Sequence, residues 1–313
     1  MLKIAFVFPG QGSQEVGMGK DLIKNYKEAD KLFNEANIAL KDEGVDLKKL
    51  CLEGPEEELT KNINAQPAVL TMSIILYKLL QKNNINPDIV AGHSLGEYSA
   101  LVAASSIEFK EAIRLVRKRG QYMQTATPLG TGSMAAIISL QKDKIEELIK
   151  KVSKFGTIEV ANYNSPYQIV VSGKTEVIEK LLILGGEEEE VNIVPLKVSA
   201  PFHSSLMRKA KENLANYIKN VNIQDPQIPV ICNVTADYVR TKEEIKDALI
   251  EQVTHPIKWV EIIKRINSEG INYFVEVGPG NVLKKLIKQI LPKAKVYNVC
   301  DSEYLEKVIK KLS

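Results

Sequence analysis

The first apolar pattern in the chain is Ile4-Ala5-Phe6-Val7-Phe8, five hydrophobic residues in unbroken succession. A strand with one wet face alternates apolar and polar residues, so an unbroken run predicts a strand buried on both faces of a parallel sheet. Helical spacing follows at Val69, Leu70, Met72, Ile75, Leu76 and Leu79. Pro67 is expected in that helix's first turn, where its missing N–H costs nothing. A short strand is predicted over 88–91, an Ala- and Leu-rich helix over 95–104, and another helix from about 110 to 124. Near the end come a strand at 271–277, a helix at 281–290, a strand at 295–299 and a closing helix at 302–312. Strands alternating with helices predict an α/β fold with a hydrolase-like parallel-sheet body.

The stretch from 129 to 198 has a different rhythm. Strands are predicted at 134–140, 157–163, 168–172 and 191–197, with helices at 143–152 and 175–184. Asn164-Ser165-Pro166 marks the turn between the two middle strands. The order β-α-β-β-α-β is that of an inserted ferredoxin-like (split βαβ) subdomain. The expected division is therefore a body of residues 1–128 and 199–313 and a subdomain of residues 129–198. The acidic run Glu187–Glu190 reads as a solvated turn.

Composition narrows the class. With 44% hydrophobic and 26% charged residues among 313, the chain is an ordinary globular one. A formal charge of +3 is too mild to argue for nucleic acid, though it tolerates an acidic protein partner. Cys51, Cys232 and Cys300 are widely spaced and odd in number, which favours a reducing compartment over a disulfide framework or a zinc site. The apolar start stops at Pro9-Gly10, too soon for a signal peptide. The apolar stretch 68–80, interrupted by Lys78, is too short to span a bilayer. The expectation is a soluble, cytoplasmic protein with no membrane role.

Four segments carry chemistry. Gly92-His93-Ser94-Leu95-Gly96 fits G-x-S-x-G directly after a predicted strand and opening a helix. The glycines allow a sharp turn that lifts the Ser94 hydroxyl above the sheet. The Leu95 N–H then faces any oxyanion that forms, at a helix N-terminus. A serine nucleophile needs a base, and the chain holds only His93, His203 and His255. His93 adjoins Ser94 and cannot easily turn onto its neighbour's oxygen; His255, before Pro256, fits a helix entry. His203 lies between a strand end and a helix start, where α/β folds place catalytic groups. The loop Phe8-Pro9-Gly10-Gln11-Gly12-Ser13-Gln14 completes no phosphate-binding motif, and Gln11 between two glycines suits a second oxyanion donor. Arg114, Arg117 and Arg119 recur on one predicted helix in a Lys-rich chain, and a guanidinium grips a carboxylate bidentately. A solvated basic face accounts for Arg114 and Arg117.

Together with Gln66-Pro67-Ala68, Arg119-Gly120, Ala161-Asn162-Tyr163-Asn164-Ser165-Pro166, Pro201-Phe202-His203, Gln252, Trp259 and Glu276-Val277-Gly278-Pro279-Gly280, these motifs resemble bacterial malonyl-CoA:acyl-carrier-protein transacylases over essentially the whole chain. The resemblance implies a malonyl group passed from malonyl-CoA to the phosphopantetheine thiol of an acyl carrier protein through an ester on Ser94. It makes Ser94 the nucleophile and His203 the base, oriented by a backbone carbonyl at Gln252 in place of an acid. It makes Gln11 and Leu95 the oxyanion hole. Arg119 becomes the holder of the malonyl carboxylate, with Gln66, Met123, Asn162 and Phe202 lining the pocket. By spacing alone Met123 reads as core, and Gln66 and Asn162 as structural hydrogen-bonders. No metal or cofactor is expected, coenzyme A thioester being a substrate. A serine thioesterase with the same Ser-His dyad is the alternative, with water as acceptor. Arg208, Lys209 and Lys211, just after His203, are candidates for docking an acidic carrier.

Overall fold

A computed structural model describes residues 2–139, 142–186, 188, 190–198 and 200–312. The run Ile4–Phe8 is strand β1, and its residues divide between two cores. Ile4, Phe6 and Phe8 face one, Ala5 and Val7 the other, which is why the run carries no polar position. On the first side lies helix α5 (Asn62–Lys82), whose Tyr77 meets the rings of Phe6 and Phe8 edge-on at 6.3 Å. Between β1 and α5 come α1 (Lys20–Asn25), α2 (Lys27–Ala39), α3 (Leu47–Glu53) and α4 (Glu56–Thr60).

After α5 the chain forms β2 (Ile89–Gly92), α6 (Gly96–Ala103) and α7 (Phe109–Thr125). It then builds β3 (Gly132–Ser139), α8 (Lys142–Val152), β4 (Ile158–Ser165), β5 (Gln168–Lys174), α9 (Thr175–Gly185) and β6 (Val191–Pro195). The return passes through α10 (Arg208–Ile218), β7 (Val230–Ile231), β8 (Tyr238–Val239), α11 (Lys242–Gln252) and α12 (Trp259–Ser268). It closes with β9 (Tyr273–Val277), α13 (Val282–Ile290), β10 (Lys295–Val299) and α14 (Ser302–Leu312).

The larger sheet runs β10-β9-β1-β2-β7-β8 and is parallel up to the antiparallel β7–β8 pair at its edge. The smaller, fully antiparallel sheet runs β4-β5-β3-β6, the strand order of a split βαβ unit. It has its own core, where Ala135, Ile137 and Val171 meet Ile145 and Leu148 of α8 and Val177 and Leu181 of α9. The middle turn is Pro166-Tyr167, because Asn164 and Ser165 still belong to β4. Leu140, Glu187, Glu189 and Ser199, on which parts of the sequence-based expectations fall, lie outside the described residues.

Helix α5 departs from expectation. It starts at Asn62, so Pro67 stands inside it rather than in its first turn. Pro67 cannot donate the i→i−4 bond to the Ile63 carbonyl, and the Arg117 guanidinium donates to that carbonyl instead, at 2.9 Å. By length and composition α5 could cross a membrane, yet its most apolar window is 89% buried inside the protein. It is the central core helix of the body.

Candidate active site

The elbow after β2 is held by steric necessity. A Cβ on Gly92 would lie 1.9 Å from the backbone of Gly96, and one on Gly96 2.0 Å from the Phe8 carbonyl oxygen. Between them Ser94 adopts φ 52°, left-handed backbone that a serine accepts only when its surroundings compel it. The compelling group is Asn233, just past β7. It accepts the Ser94 N–H at 2.7 Å and donates to the Gly92 carbonyl at 2.6 Å, spanning the turn. The Leu95 N–H begins α6 and has no partner within the helix.

His203 also sits at positive φ, 57°, in the loop before α10. Its Nε2 lies 2.8 Å from Ser94 Oγ and its Nδ1 2.8 Å from the Gln252 carbonyl oxygen. A carbonyl only accepts, so Nδ1 carries the proton and Nε2 presents a lone pair to the serine hydroxyl. Burial, and next the Arg119 cation, push the His203 pKa down to about 3, against the pull of the Gln252 carbonyl. The resting imidazole is therefore neutral, as a base must be.

Arg119 comes from α7 and is 2% exposed. Its Nη1 donates to Gln66 Oε1 at 2.9 Å, and its Nη2 to Gln252 Oε1 at 2.8 Å and to Ser94 Oγ at 3.1 Å. Its Nε is buried with no partner among the described residues. All three acceptors are neutral oxygens. A neighbouring carboxyl group is that of Glu97, which accepts the Gln252 side-chain N–H at 2.7 Å and the Asn233 backbone N–H at 3.1 Å. Burial lifts Glu97 to about 7.

Ser94, His203 and Arg119 open on a cavity of about 720 Å³, also lined by Gln11, Gln66, Met123, Asn162 and Phe202. Gln11 is positioned by the loop after β1: a Cβ on Gly10 would stand 2.7 Å from the His93 carbonyl oxygen, so this loop rests on the elbow. The Gln11 side-chain amide donates to Asn62 Oδ1 at the start of α5. Met123, one turn after Arg119, receives a long bond from Gln66 Nε2 at 3.9 Å. Asn162 enters from the smaller sheet, where β4 is pinned to the body by Tyr163 N–H to Ile257 O and Ile257 N–H to Ala161 O, each 2.9 Å. Gln252 and Leu95 do not line the cavity; Gln252 reaches the dyad and Arg119 from behind its wall through its carbonyl and its side chain.

The other histidines are engaged elsewhere. His93 bonds Asn164 Oδ1 through Nε2 at 2.9 Å and stacks edge-on against Trp259. His255 does not enter a helix; its Nδ1 meets the Glu251 carbonyl at 2.9 Å, at the end of α11. Arg114 is solvated and pairs with Glu111, whereas Arg117 is buried, contrary to its expected place on a wet face. Arg208 and Lys211 line a separate cleft of about 840 Å³ with Glu159, Ser205 and His255, and Lys211 is tied to Glu251 at 2.6 Å. This larger cleft lacks the dyad. Sequence reasoning missed Asn233 and Glu97. Glu97 follows the G-x-S-x-G motif directly, while Asn233 follows a strand of two residues, too short for any periodicity to mark.

The arrangement suits nucleophilic acyl chemistry on a substrate carrying an anion beside the reacting carbonyl. A family model described as the acyl transferase domain matches residues 5–308. The malonyl CoA-acyl carrier protein transacylase of Bacillus subtilis is 44% identical over 313 residues, covering 100% of this chain and 98% of the relative. The solved structure of the malonyl CoA-acyl carrier protein transacylase from Coxiella burnetii superposes with a TM-score of 0.95 at 39% identity, covering 99% of this chain and 98% of that one. Another, a type II PKS acyl-carrier protein in complex with its malonyl-transacylase, gives 0.93 at 38% identity, with 99% of each chain covered.

Proposed function

The chain belongs to the acyl transferase domain family, and on that premise we propose that it moves the malonyl group of malonyl-CoA onto the phosphopantetheine thiol of an acyl carrier protein, through an ester on Ser94. One observation carries this reading: Ser94 Oγ touches His203 Nε2 and Arg119 Nη2 at once. In a malonyl thioester the free carboxylate carbon is two bonds from the carbonyl carbon. A cation that reads it must therefore sit beside the nucleophile, and 3.1 Å meets that demand.

In the first half-reaction His203 Nε2 takes the hydroxyl proton as Ser94 Oγ bonds to the thioester carbon. The oxyanion faces the Leu95 N–H and the Gln11 loop. The intermediate collapses with cleavage of the C–S bond, and the imidazolium returns its proton to the departing thiolate of coenzyme A. The carrier's thiol reverses these steps, its proton going to His203 and the ester bond breaking to restore the serine. Arg119 fixes the carboxylate and with it the carbonyl's approach, while Gln66, Met123, Asn162 and Phe202 shape the pocket. The reading calls on no metal or redox group, because base, nucleophile and oxyanion donors are all side chains or backbone. It places the step in fatty acid synthesis. We assign it to the cytoplasm, in keeping with three free thiols.

Replacing Ser94 with Ala tests the reading. Malonyl labelling from malonyl-CoA and transfer to the carrier should both vanish in a protein with unchanged unfolding behaviour. A malonyl adduct surviving in that variant would place the nucleophile elsewhere.

A further inference from the structure

Pro67 opens a gap in α5, and Arg117 fills it. The guanidinium donates from Nη1 to the Ile63 carbonyl at 2.9 Å and to Asn64 Oδ1, and from Nε to Glu43 Oε2 at 2.7 Å. The residue is 6% exposed, so these bonds are made away from water. The turn it holds, from Asn62 to Gln66, carries two groups that touch residues of the site. Asn62 accepts from the Gln11 side chain, and Gln66 accepts from Arg119 Nη1. The turn also presses directly on α7, where a Cβ on Gly120 would stand 2.6 Å from the Asn62 carbonyl oxygen. No compliant side chain separates the two backbones.

We propose that Arg117 is a positioning residue for acyl transfer: it supplies the hydrogen bond that Pro67 removes and thereby sets both the Gln11 loop and the Gln66–Arg119 contact. The inference rests on the function proposed above for Ser94 and Arg119. It makes Arg117 act on two steps to different extents. The Gln11 loop serves any thioester, whereas the Gln66–Arg119 contact serves only one that carries a carboxylate. Loss of Arg117 therefore weakens malonyl chemistry more than acetyl chemistry.

The test is a two-residue cycle read by single-turnover acylation with malonyl-CoA and acetyl-CoA. Arg117→Met keeps the bulk and removes the donors. Malonyl acylation should fall roughly tenfold, the scale of one buried hydrogen bond, and acetyl acylation by only about threefold. Pro67→Ala restores an N–H that can reach the Ile63 carbonyl along the helix. In that background Arg117→Met should cost less than about threefold for malonyl. Equal losses in the two backgrounds would overturn the role of the Ile63 carbonyl. A lowered unfolding midpoint with unchanged acylation would overturn positioning altogether. If Arg117→Met does not fold, Arg117→Lys, whose single ammonium cannot serve all three acceptors, is read the same way. Wild-type labelling that disappears in Ser94→Ala keeps the proposed function standing whichever way the cycle falls.

Discussion

Arg117 and Arg119 lie two residues apart on α7, and both are buried, yet their surroundings differ in kind. Arg117 meets a carboxylate, a helix carbonyl and an amide oxygen, and its charge is answered by Glu43. Arg119 meets two glutamine oxygens and a serine hydroxyl, and its Nε–H has no partner among the described residues. A buried cation with only neutral partners is costly to the fold and holds its charge in reserve for an anion. The first arginine is built into the frame, and the second is kept for a substrate. Position along the helix does not separate them; the acceptors that the fold brings to each one do.

The largest effect should come from removing the reserved charge. Arg119→Ala leaves an incoming malonyl carboxylate unpaired in a desolvated pocket, a loss of about 2–5 kcal/mol, or roughly 30-fold to several-thousand-fold in malonyl acylation. Acetyl acylation should persist or rise, because the cation that lowers the basicity of His203 is gone. Equal losses for both thioesters would show that Arg119 supports the fold rather than reads the carboxylate.

A smaller loss should follow from disturbing the neutral shell. Gln66→Met removes the acceptor on Arg119 Nη1, and one buried donor left unmade costs about 1–3 kcal/mol. Malonyl acylation should fall roughly 5-fold to 150-fold, with acetyl acylation affected less. An unchanged malonyl-to-acetyl ratio would mean that Gln66 does not aim the guanidinium.

Glu97 tests the electrostatics from the other side. Its folded pKa is raised to about 7 from an ordinary value of 4.5. The stability it contributes is thus complete below pH 4.5 and is lost as pH rises through 7. The stability gap between wild type and Glu97→Gln, followed by chemical denaturation, should shift against the wild type across that window. Parallel curves would show that Glu97 is already ionised in the fold. His203, with a pKa lowered to about 3, works oppositely and loses stability as pH falls below its ordinary 6.5. The smallest effect belongs to Arg114→Ala, on the wet face of the same helix: stability within about 0.5 kcal/mol of wild type and unaltered acylation. A larger change there would blur the distinction between helix face and site.

How legible this was in the sequence depends on the physical source of each signal. β1 and the elbow were readable because burial on both faces and a turn without room for Cβ atoms leave marks on consecutive residues. His203 was readable because only three histidines compete for the role of base. Pro67 was misplaced because its missing donor is compensated by Arg117, fifty residues away in the chain. Arg117 itself read, with Arg114, as part of a solvated face, since helical spacing does not reveal which face a neighbouring helix covers. Asn233 and Glu97 join the site through a few long-range hydrogen bonds, which leave no periodic trace.

The central claim is that Ser94 holds the malonyl group between two thiols, and intact mass spectrometry tests it most directly. Mixed with malonyl-CoA alone, the protein should gain one malonyl adduct, located at Ser94 by peptide mapping and persisting without an acceptor. Adding phosphopantetheinylated carrier protein should clear the adduct and move its mass to the carrier. An adduct that water removes equally fast with or without the carrier, or one carried by another residue, would contradict the account.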